Sequence, residues 1–137
     1  MTLADLYSCF AVQQLFDPTK VTSAPVTFTS DAVSVRPAFQ TLIIVNVGAV
    51  ITAGTLDVKL TECDTADGVY TDVVGGAFTQ YTKDRDDRVE TARVISTERK
   101  KFLKVVSTVT DGNASFGITA LRLVTDTGNA DTTTLTL

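Results

Sequence analysis

Two runs of β-branched and large apolar residues, set on either side of Asp111 and Gly112, constrain this chain more than any other feature. Residues 101–109 read as a strand and residues 110–113, Thr-Asp-Gly-Asn, as a tight reversal. Residues 115–124 then read as the strand that returns beside the first. Asp-Gly between alternating apolar runs is a strong hairpin signal, because glycine accepts the positive φ that a two-residue turn demands. The expectation is an antiparallel hairpin near the end of an all-β domain.

A chain of 137 residues is long enough to close a single core without disulfides or metals. Only 20% of its residues are charged, fewer than the usual quarter, so the surface takes much of its polarity from threonine. Threonine and valine are both stiff at χ1 and suit a pleated sheet. The formal charge of −4 repels a phosphate backbone, which argues against nucleic acid as a partner. Cys9 and Cys63 lie far apart in no metal-binding spacing and read as reduced thiols. Asp5, Ser8 and Gln13-Gln14 interrupt the opening segment, which predicts neither a signal peptide nor a membrane span.

Taken in order, residues 1–24 form an amino-terminal arm or short helix. Thr2 and Asp5 are spaced as a capping pair, and Leu3, Leu6, Tyr7 and Phe10 share one helical face that Asp17-Pro18 would end. An extended arm lying on this domain or on a neighbour is the alternative. Residues 25–124 form a β-sandwich, jelly-roll-like or immunoglobulin-like, of about eight short strands. Within it, residues 26–29 and 32–35 read as strands around a turn at Ser30-Asp31. Residues 39–47 are apolar on both parities and so read as a central or externally covered strand. Leu56, Val58 and Leu60 alternate with Asp57 and Lys59, the pattern of a strand wet on one side. The apolar parity of Phe116, Ile118 and Ala120 gives way to Leu121 and Leu123, implying a bulge near Ala120 or burial on both faces. Residues 125–137 form a threonine-rich tail whose Leu135 and Leu137 could add a strand to a neighbour's sheet edge.

Catalytic chemistry is poorly supplied. Histidine is absent, which removes the commonest general base and transition-metal ligand. Gly75-Gly76 precedes no helix that could hold a phosphate, and Cys63 has no adjacent base to activate it. Asp64 and Asp67, or Asp84, Asp86 and Asp87, carry oxygen ligands, but neither set has the spacing of an EF-hand. No catalytic residue, metal site or cofactor is expected. The residues 83–88 read as a solvated loop of mixed charge. Absence of tryptophan leaves Tyr70 and Tyr81 as poor stacking platforms for a sugar.

The strand series at residues 39–48, 56–62, 67–73, 99–109 and 116–120 resembles the small β-sandwich proteins of tailed bacteriophages encoded beside the major capsid protein. These are regarded as capsid cement, decoration or head-stabilisation proteins. The resemblance implies a non-enzymatic virion structural protein on the capsid surface, assembled in the host cytoplasm. It implies the major capsid protein as partner and self-association as a dimer or trimer, with no membrane and no nucleic acid. Other virion β-modules, such as tail, fibre or head-completion proteins, share these patterns, and a glycan-binding module is the alternative of another class. Leu3, Leu6, Tyr7, Phe10, Leu15, Phe16, Leu135 and Leu137 are the expected partner-binding residues.

Overall fold

The structure, a computed structural model, describes residues 10–22, 24–36, 38 and 40–123. Its nine strands are β1 (Phe10–Val21), β2 (Val26–Thr29), β3 (Val33–Ser34), β4 (Gln40–Val50), β5 (Thr55–Cys63), β6 (Thr71–Ala77), β7 (Arg88–Ile95), β8 (Phe102–Thr110) and β9 (Ala114–Leu123). Single 3₁₀ turns at Lys83–Arg85 and Ser96–Glu98 flank β7. One sheet has the order β1-β9-β4-β7 and the other β2-β8-β5-β6, with β3 also on β8. We call these sheet A and sheet B. Every pairing is antiparallel. Counting β2 and β3 as one interrupted strand, the chain changes sheet at each connection except β5 to β6. This is a jelly roll.

Alternation builds the core. Ile43, Val45 and Val47 of β4, with Phe116 and Ile118 of β9, face Leu56, Val58 and Leu60 of β5 and Leu103, Val105 and Val109 of β8. The apolar run that includes residues 40–47 is indeed central, since β4 lies between β9 and β7.

Three expectations need correction. The arms around Asp111-Gly112 are not a hairpin: β8 belongs to sheet B and β9 to sheet A. The reversal carries the chain between the sheets, because β8 already has β5 on one edge and β2 and β3 on the other. Asp111, not Gly112, takes the positive φ, at 56°. Glycine is needed at 112 for space instead, since a Cβ there would lie 2.6 Å from the Gly54 Cα. Two inter-sheet turns thus clasp one another, sealed by the Ile51 N–H donating to the Asn113 carbonyl at 2.9 Å.

Similarly, residues 26–35 do not form a hairpin. β2 and β3 pair in succession with the same strand, Thr29 opposite Val106 and Val33 opposite Leu103. Ser30 spans the bulge between them: its N–H donates to the Val105 carbonyl and its hydroxyl accepts from the Val105 N–H, both at 2.9 Å.

The helical option for the opening segment fails from Phe10 onward, where the chain is strand β1 paired along β9. Phe10 to Phe16 lies in the sandwich, and Asp17-Pro18 does not end the element but sits in its second register shift. An edge strand tolerates proline because one of its edges needs no ladder donor. A Cβ on Gly117 would lie 3.2 Å from Pro18, so glycine lets this bulge rest on the sheet.

Residues 83–88 are a solvated connection, with Lys83, Asp84, Asp87 and Arg88 exposed, and it is fastened at several points. Asp86 accepts from the Val50 N–H at 3.0 Å, and the Asp87 N–H donates to the Gly48 carbonyl at 3.1 Å. Arg85 pairs with Glu90, which also accepts from the buried Tyr81 hydroxyl at 2.7 Å. These bonds hold the β6–β7 connection against the end of the sandwich.

Candidate docking face

The two sheets differ sharply on their outer sides. On sheet B, Thr108 stands between Thr27 and Asp57, with the two threonine hydroxyls 3.0 Å apart. Lys59 pairs with Asp72 at 2.9 Å, Gln80 donates to Asp57, and the Lys104 ammonium lies 4.6 Å from the Tyr70 ring centroid. That face is mainly polar and its charges are answered locally, with Phe102 and Val106 of β8 interspersed among them.

Sheet A is the reverse. Its strand register places side chains in rows on the outer side: Phe10, Leu123, Gln40 and Ile95; then Val12, Leu121, Leu42 and Arg93; then Gln14, Thr119, Ile44 and Thr91. Inner neighbours such as Ile43, Val45, Ile118 and Ala120 are consumed by the core, so strict alternation sends these rows outward. Val12 is 66% exposed, and Leu42, Ile44, Leu121 and Leu123 are half-buried by one another. Nothing among the described residues forms a further layer over them. Arg93 is the one charged side chain in the three rows, and it has no ion pair or hydrogen bond among the described residues.

Two shallow depressions mark the face. Phe10, Leu42, Leu121, Leu123 and Arg93 line the first. The second has Gly48 and Gly117 in its floor, Ile44 and Asn46 beside them and Pro18 on its rim. A cover that completed the burial of Val12, Leu42, Ile44, Leu121 and Leu123 would gain roughly 1 kcal/mol per side chain, less than the value for full burial because each is already partly shielded. The face can therefore bind a macromolecular surface; it offers no pair of groups placed for proton transfer. No three His, Cys, Asp or Glu side chains converge as a metal site among the described residues.

Of the expected partner-binding residues, Phe10 lies on this face. Leu15 and Phe16 do not: Leu15 is 8% exposed in the core, and Phe16 turns inward to stack on Phe116 at 4.4 Å and pack on Phe28 at 4.8 Å. Leu15 faces inward by alternation with Ala11 and Gln13, and the register shift between Gln14 and Phe16 turns Phe16 inward as well. Leu3, Leu6, Tyr7, Leu135 and Leu137 lie outside the described residues. Val12, Leu42, Ile44, Leu121, Leu123 and Arg93 are surface residues the sequence reading did not assign. Their signal was present in the two-parity apolar run of β4 and the parity change in β9. That change is not a bulge: β9 keeps an unbroken register with β4 from Leu123 to Phe116.

Solved structures place the same fold in virus shells. The chain is similar to a structure of infectious bursal disease virus, Gx strain, with a TM-score of 0.57 and 10% identity over 88% of this chain and 33% of that one. It is also similar to the VP2 subviral particle of infectious bursal disease virus, with a TM-score of 0.56 and 10% identity over 84% of this chain and 32% of that one. A third match is the T13 particle of that virus, with a TM-score of 0.53 and 12% identity over 85% and 31%. The chain thus spans about a third of the length of the viral chains it matches, and the likeness is one of fold. No family model matches the chain, and no curated protein matches it.

Proposed function

We propose that this chain is a non-enzymatic virion structural protein that binds the capsid exterior and stabilises contacts between capsomers, as a cement or decoration protein does. The observation that carries the reading is the apolar outer face of sheet A, which no further layer among the described residues covers and in which Arg93 has no partner among them. An isolated soluble domain gains nothing by exposing leucines in adjacent rows, whereas a shell protein has them covered on assembly. The jelly-roll likeness to virus particle structures and the cement-like strand series support the same role. The partner is the major capsid protein, and copies of the chain associate as a dimer or trimer over it. The segments 1–9 and 125–137, with Leu3, Leu6, Tyr7, Leu135 and Leu137, act as grips on neighbouring subunits.

Co-sedimentation with purified capsids tests this. Full-length protein should pellet with capsids to a saturating ratio, and deletion of residues 125–137 should leave the far-ultraviolet circular dichroism unchanged while lowering that occupancy. Equal occupancy by the truncated chain would contradict the role of the tail. Failure of the full chain to pellet with capsids at all would contradict the function.

A further inference from the structure

We propose that the outer face of sheet A takes residues 1–9 of a second copy of this chain, so that neighbouring copies are joined by exchanged amino-terminal arms. This deepens the structural role above, and rests on it only for the presence of many copies side by side.

Three observations lead there. Phe10 and Leu123 are register partners at the end of sheet A, so the chain preceding Phe10 departs from the rim of the apolar face. The residues before it carry Leu3, Leu6 and Tyr7, an apolar set that suits an apolar groove. Asp5 is the one charged side chain in residues 1–9, and it is opposite in sign to Arg93, the one charged side chain in the rows of the face. The complement is therefore both apolar and electrostatic.

The arm belongs to a neighbour for a conformational reason. Residues 1–9 contain neither glycine nor proline, the residues that make a sharp reversal cheaply. Folding back over its own sheet would demand such a reversal immediately before Phe10. A straight continuation of the β1 axis beyond Phe10 points past the end of sheet A, away from its own outer face and toward a neighbouring copy. Repeated around a symmetry axis, the exchange closes a dimer or trimer in which each copy gives one arm and receives one.

Complementation by light scattering tests the proposal. One protein lacks residues 2–9; a second keeps them but carries Val12→Lys and Leu121→Lys on the face. Circular dichroism checks that both fold, and Arg93→Glu, at an exposed position, serves as a second face variant if the double substitution does not. The full chain should associate with rising concentration, each altered protein alone should be monomeric, and an equimolar mixture should form a one-to-one complex. Arg93→Glu should weaken self-association roughly tenfold, with recovery when combined with Asp5→Arg. A full chain that stays monomeric, an arm-deleted chain that still associates face to face, or a mixture that remains monomeric would each overturn the exchange. Self-association without capsid pelleting would sink the cement role and leave arm exchange standing, while capsid pelleting by a monomer would do the converse.

Discussion

Replacing Tyr81 by alanine is expected to lower the unfolding free energy by about 3–5 kcal/mol, the range for removing a large buried aromatic ring. Tyr81 is 0% exposed, though it sits outside the named strands. Its backbone exchanges two hydrogen bonds of 2.9 Å with Leu56, so it extends sheet B by a single bridge. Its ring lies 5.4 Å beneath the Arg85 guanidinium, and its hydroxyl donates to Glu90. Tyr81→Phe keeps the ring and should cost only about 1 kcal/mol, because Glu90 retains Arg85 and some solvent. Urea unfolding of the two variants separates packing from the hydrogen bond. Glu90 adds a pH signature. Its bond from Tyr81, then those from Arg85, hold its carboxyl below the ordinary value, against the opposing effect of burial. A depressed folded value contributes stability above the unfolded value, and this is lost as pH falls through the folded one. The wild type should therefore lose stability on acidification with a steeper slope than Glu90→Gln, and equal slopes would assign the acid sensitivity elsewhere.

Phe116→Ala is expected to cost about 3–5 kcal/mol as well, with its effect concentrated on β1. Phe116 is 2% exposed and stacks on Phe16, which in turn packs on Phe28. The three rings join β9, β1 and β2, and with Leu15 they are the chief inward anchors of the edge strand β1. Phe16→Ala should cost less, since Phe16 is only half-buried. Both substitutions should raise amide exchange along β1 before that of β4, whose register is held on both sides by β9 and β7. Uniform loss of protection across the sandwich would contradict this division. Because β1 carries Phe10 and Val12 to the outer face, the same variants should weaken association while leaving β4 intact.

Individual strands were legible where one face is wet and one is dry. The alternation of Leu56, Val58 and Leu60 located β5, and the double-parity run marked β4 as a strand either central or covered from outside, of which the first is seen. What the residues did not reveal was which strand lies beside which. Asp-Gly signals a reversal, but it does not distinguish a return within one sheet from a crossing to the other; the deciding contact, Gly112 against Gly54, joins residues far apart in the chain. Ser30-Asp31 carries turn-forming residues, yet a hydroxyl bonded to Val105 makes it a bulge. Helical spacing up to Phe10 and strand alternation from it coexist in the opening segment, and from Phe10 onward pairing with β9 makes it a strand. The docking face was hardest to see, because it comprises single residues from four strands whose alignment is a property of register. Phe16 shows the converse, an apolar residue in an apparent arm that the bulge returned to the core.

Electron microscopy of intact particles tests the central claim most directly. The account predicts density for this jelly roll over every capsomer on the outside of the shell, with the outer side of sheet A pressed against protein and sheet B turned to solvent. Density confined to one vertex or to a tail, or a sheet A whose leucines face open water, would contradict it.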